Sequence, residues 1–141
     1  ADPTRPALEM LKIWSDSDGK FSKYFKCLPD SKSEELNTTN FYTPQDLEEI
    51  QWPPVINETR KRSKLCENFY ENVIKIQNEM GMVFHNKEMS LQDLKWAVYI
   101  LVSRVLTVQR GDGEGTQAKV LIPGIDMINH DSKSPHILTG R

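Results

Sequence analysis

Lys119-Val120-Leu121-Ile122-Pro123-Gly124-Ile125-Asp126-Met127-Ile128-Asn129-His130-Asp131 is the stretch on which the reading of this chain turns. A β-rich run, Lys119 to Ile122, is stopped by Pro123 and passes through Gly124 into an apolar segment. That segment carries Asp126, Asn129 and His130 inside it. Polar groups in such surroundings are costly unless each finds a partner. An asparagine amide offers both an acceptor and donors, so it can brace a loop or orient a ligand with both kinds of group. From the residue chemistry alone, a braced turn and a ligand site stand level.

Upstream of this stretch the chain reads as helical. Pro6 to Trp14 fits a short helix with Leu8 and Leu11 facing a core and Ile13 or Trp14 as further candidates. A second short helix or turn carries Phe21, Tyr24, Phe25 and Leu28 and ends at Pro29. Residues 30–40 are polar and read as a loop. Thr43-Pro44-x-Asp46 is a helix start, with a hydroxyl cap, a proline at the first helical position and an acid placed to return the hydrogen bond. Trp52-Pro53-Pro54 is expected to end that helix. A long helix is then expected from about Asn57 to Met80, because Leu65, Phe69, Val73, Ile76 and Met80 recur at helical spacing. Gly81 closes it. Ser90 with Asp93 signals the next helix, whose expected buried stripe is Leu91, Leu94, Val98, Leu101, Val102 and Val105. Gly111 to Gly115 is a turn, and the β run follows. The fold class expected is mainly α with a small β portion.

Composition narrows the function. The 141 residues are 38% hydrophobic and 27% charged, with a formal net charge of −2, which suits a folded domain. Acids outnumber bases 20 to 18, so a generic nucleic-acid binder is disfavoured. Arg60-Lys61-Arg62-x-Lys64 is the one basic run and reads as a solvated helix face near a helix start. Cys27 and Cys66 do not form a Cys-x-x-Cys pair, and Cys66 reads as packing. The sequons at Asn37 and Asn57 matter only in a secreted protein, and no signal peptide is seen. No apolar run reaches the roughly 18 residues of a spanning helix. His85, His130 and His136 have no zinc-site spacing, and Asp16-x-Asp18-Gly19 and Asp112-x-Glu114 lack the full calcium-loop ligand series. No metal site is expected. Phosphate-loop, dinucleotide and nucleophile-elbow motifs are absent.

Ile122-Pro123-x-x-Asp126-x-x-Asn129-His130 resembles the Asp-x-x-Asn-His motif of SET-domain methyltransferases. More narrowly it is similar to the Rubisco large-subunit methyltransferase-like branch, which includes the actin-histidine methyltransferase. That branch interrupts its SET domain with a helical insertion. The resemblance implies an insertion over residues 1–89 and an incomplete C-terminal part of a split SET domain over residues 90–141. It implies S-adenosylmethionine as cofactor, with Arg104, Asp126, Met127, Ile128, Asn129 and His130 lining its site. Asn129 would brace the methionyl part, His130 would meet adenine through its backbone, and Asp126 would shape the adjoining loop. Arg104 matches a family arginine near cofactor and substrate; pairing with Asp126 as a helix-end residue is the plain alternative.

The implied activity is methyl transfer to lysine of a protein substrate. Histidine methylation and a non-catalytic helical interaction module are the alternatives. Cytoplasm or nucleus is the expected location, or a plastid in a plant. The family's Gly-rich cofactor segment and active-site tyrosine have no counterpart here, and no catalytic residue is assigned. The chain reads as a fragment expected to be inactive alone.

Overall fold

A computed structural model describes residues 2–109, 117–128 and 133. The chain divides into two compact units, Ala1–Tyr99 and Ile100–Arg141. The described residues are mainly helical, with one small antiparallel sheet.

In the first unit, α1 (Thr4–Ser15) buries Thr4, Ala7, Leu8, Leu11 and Ser15, the three-and-four spacing of one helical face. It packs against α4 (Pro53–Phe69). Ile13 remains exposed. The short α2 (Ser22–Phe25) follows the Asp16-to-Gly19 turn, in which the Asp16 carbonyl accepts from the Gly19 amide at 3.2 Å. The expected cap at Thr43 is present. The Asp46 amide donates to the Thr43 hydroxyl at 3.1 Å, and the Thr43 amide donates back to the Asp46 carboxylate at 3.3 Å, starting α3 (Pro44–Glu49).

The two prolines after Trp52 act differently from expectation. Pro53 is the first residue of α4, so the pair opens a helix as well as closing off α3. A first-turn amide has no intrahelical acceptor, so its absence from proline costs nothing there. The basic run therefore lies well inside α4, away from the positive helix end. The Arg60 guanidinium donates to the Glu48 carboxylate, and Arg62 lies 3.7 Å from Glu58.

The long helix does not bury the stripe expected of it. A π-helical turn, Tyr70–Ile74, separates α4 from α5 (Lys75–Glu79). Ile56, Thr59, Cys66 and Ile74 are buried, whereas Leu65, Ile76 and Met80 are 37%, 53% and 65% exposed. A π turn inserts one residue, so the inward face shifts by one position beyond it. Cys66 and Ile74 stand eight apart, two turns plus that residue.

α6 (Leu91–Arg104) begins at a second capping box: the Asp93 amide donates to the Ser90 hydroxyl at 3.1 Å, and the Ser90 amide to the Asp93 carboxylate at 2.9 Å. Its buried face holds Leu94, Trp96, Ala97, Val98 and Ile100, while Val102, expected inside, is exposed. Trp96 and Ile100 were not part of the expected stripe. Trp96 Nε1 donates to the Pro29 carbonyl at 2.7 Å, the Gln92 amide to the Ser31 carbonyl at 3.2 Å and the Ser31 hydroxyl to Asp93 at 2.8 Å. The polar loop over residues 30–40 is thus pinned at its start and buries Ser31 and Leu36. Asn78 pins the segment after α5, donating to the Met89 carbonyl at 2.8 Å and accepting from its amide at 2.9 Å.

In the second unit, β1 (Leu106–Gln109) pairs antiparallel with β2 (Gln117–Val120) in the register Leu106 to Val120 and Val108 to Ala118. Leu106, Val108, Ala118 and Val120 therefore share one face, and Thr107, Gln109, Gln117 and Lys119 the other. The strand β1 was not expected; its apolar–polar alternation over four residues directly continues a helical stripe and is masked by it. β2 starts and ends two residues before the expected run. The turn read at Gly111 to Gly115 lies outside the described residues.

Candidate functional site

The last turn of α6 and the turn after β2 meet in the second unit. Gly124 has φ of +94°, a left-handed value that a side chain disfavours. No atom lies within 4 Å of where its Cβ would stand. The backbone strain alone therefore selects glycine after Pro123. A single 3₁₀ turn, Ile125–Met127, follows, with the Asp126 amide donating to the Ile122 carbonyl at 3.2 Å.

Asp126 ties this turn together. One carboxylate oxygen accepts from the Gly124 amide at 3.0 Å, and the other lies 3.5 Å from Arg104 Nη1. The Asp126 side chain is fully buried and that of Arg104 is 24% exposed. Arg104 Nη1 also donates to the Asp126 carbonyl at 3.2 Å and lies 3.4 Å from Met127 Sδ. Burying a carboxylate without such a counter-charge and hydrogen bonds is costly. All of these contacts use one nitrogen of a guanidinium that carries five N–H donors.

Of the residues singled out in the sequence, Arg104, Asp126 and Met127 are brought into contact. Ile128 follows them and is largely exposed. Asn129 and His130 lie outside the described residues, as do Asp131 and His136. The Met127 thioether contact with Arg104 had no signal in the sequence, because it depends on how the turn approaches the helix end. Among the described residues no group of His, Cys, Asp and Glu side chains could hold a metal ion. Among them too, no helix is long and apolar enough to cross a membrane.

Two curated proteins align with most of the chain. Over 125 residues it is 27% identical to the ribulose-1,5 bisphosphate carboxylase/oxygenase large subunit N-methyltransferase, chloroplastic, of Nicotiana tabacum, covering 85% of this chain and 22% of that protein. Over 130 residues it is 28% identical to the [fructose-bisphosphate aldolase]-lysine N-methyltransferase, chloroplastic, of Arabidopsis thaliana, covering 89% of this chain and 24% of that protein. The chain is related, at low identity, to plant protein methyltransferases. It spans less than a quarter of the length of either. No family model matches the chain. No solved structure matches it.

Proposed function

We propose that this chain is part of an S-adenosylmethionine-dependent protein-lysine N-methyltransferase of the SET type. In this reading residues 1–89 are its helical insertion and residues 90–141 part of its split SET domain. The alignment with two N-methyltransferases along most of the chain carries the proposal. The Asp126-x-x-Asn129-His130 motif supports it from within the sequence.

The donor set fits the cofactor. S-adenosylmethionine supplies a methyl group on a sulfonium, together with a carboxylate, an amine and an adenosine that the protein must hold. Arg104 commits one nitrogen to Asp126 and retains donor capacity for a carboxylate. Asn129 offers the acceptor and donors suited to the amino-acid end, and His130 a backbone contact to adenine. Asp126 does not react; it fixes the guanidinium and closes the Gly124 turn. Rate enhancement then rests mainly on removing the proton from the lysine ammonium beforehand and on aligning the resulting neutral amine with the methyl group. A protein substrate is the partner in this reading, in cytoplasm, nucleus or plastid.

The test is Asn129→Ala in the full-length protein, with cofactor affinity measured by calorimetry and methyl incorporation by mass spectrometry. A loss of affinity of at least tenfold, with methyl transfer lost in parallel, is the expected result. Unchanged cofactor binding would sink the proposal, and the absence of cofactor binding in the parent protein would leave a non-catalytic helical module. Mass spectrometry of the product also separates lysine from histidine as the acceptor. The 141 residues by themselves are expected to turn over no substrate.

A further inference from the structure

A cleft of about 610 Å³ opens in the first unit, between the end of α1, the segment after it and the start of α6. Trp14 and Phe25 supply partly exposed aromatic surface, and Asp16, Asp18 and Asp30 supply carboxylates. Among the described residues lining it, Lys26 is the only cation. The volume is within the range of small-molecule and side-chain pockets. The Trp14 ring rests on the buried Trp96 ring, 4.9 Å away and tilted by 44°, which holds Trp14 at the cleft wall. Trp96 is fully buried, with its N–H given to the Pro29 carbonyl, so it backs the cleft from beneath while Trp14 and Phe25 keep part of their surface open. One oxygen of Asp16 is held by the Asp18 amide at 3.2 Å and one of Asp30 by the Lys32 amide at 2.8 Å, which sets both carboxylates in place.

Aromatic faces attract cations through their quadrupole, and carboxylates add a direct charge attraction. A wall that combines the two favours a cation with an apolar stem over an anion or a purely apolar group. We propose that this cleft receives a cationic side chain, arginine or lysine, from a peptide segment of a protein partner. Binding there requires no cofactor and stands apart from methyl transfer.

The 141-residue chain carrying Trp52→Phe tests it, because only Trp14 and Trp96 then report by fluorescence. Titration at low salt with Gly-Gly-Arg-Gly-Gly or its lysine counterpart is expected to give a saturable emission change. The citrulline peptide, uncharged and nearly the same shape, is expected to bind at least tenfold more weakly. Raising the salt should weaken the charged peptides. Asp18→Asn with Asp30→Asn should reduce their affinity at least fivefold while the circular-dichroism melting curve is unchanged. No saturable change, equal binding of the citrulline peptide, or indifference to the two aspartate changes would each overturn the proposal. Spermidine binding as tightly as the peptides would overturn it in favour of a free amine.

Discussion

Asp93 serves two segments with one carboxylate. It closes the capping box with Ser90 at the start of α6 and accepts from Ser31, sixty-two positions away, while almost fully buried. Its helix-capping role is legible in the sequence, since Ser90-x-x-Asp93 is a local pattern. The bond to Ser31 is not, because nothing local marks which serine of a polar loop will turn inward. Asp93→Ala leaves the Ser31 hydroxyl and the Ser90 amide without their acceptor. It is expected to lower stability by about 2–4 kcal/mol, read from chemical denaturation. Cys66 is a second buried group with a measurable consequence. Burial pushes its thiol up, against the opposing pull of Lys95 and Arg62. A raised thiol keeps its proton in the fold, so its contribution is intact below the ordinary thiol range and is lost as pH rises through the folded value. At pH 8 a thiol reagent should label Cys27, which is exposed, rapidly, and Cys66 only as the fold opens.

The helical run from Pro53 to Glu79 shows where element-level reading succeeds and where it fails. Its helicity and the closing glycine follow from local chemistry. Gly81 takes φ of +69° just beyond the end, as a stop signal should. The buried face does not follow, because apolar spacing predicts a stripe only if the helix keeps one period throughout. The π turn at Tyr70–Ile74 shifts the face beyond it, leaving Ile76 and Met80 outside, while before the turn Ile56, Thr59 and Cys66 form the inward face and Leu65 lies at its edge. Leu65→Gln, Ile76→Gln and Met80→Gln should each change unfolding free energy by no more than about 0.5 kcal/mol. Ile74→Ala, at a fully buried site, should cost about 2–5 kcal/mol by leaving a cavity. Equal effects at the two sets of positions would contradict the observed face. The hairpin gives the opposite lesson. Its register places apolar residues on one face by simple alternation, yet β1 is hidden because it continues directly from α6.

At the scale of the whole molecule, the first unit supplies a core and the second a two-stranded ribbon ending in the Arg104–Asp126 turn. A ribbon of two strands is marginal by itself. Amides of β1 and β2 should therefore exchange with deuterium faster than those of Leu94 to Val98 on the buried face of α6. Equal protection would show that the ribbon is held as firmly as the helix. By itself, the sequence determined the helix starts at Thr43 and Ser90, the stop at Gly81, and the Asp-x-x-Asn-His pattern, all of which depend on neighbours within a few positions. Tertiary structure alone decided that Trp96 and Ile100 face inward, that Ser31 and Asn78 anchor distant backbone, and that Arg104, for which the sequence left pairing with Asp126 as one of two roles, does contact it. Those outcomes depend on which surfaces meet after collapse, and burial energy, unlike capping or turn geometry, carries no local signature.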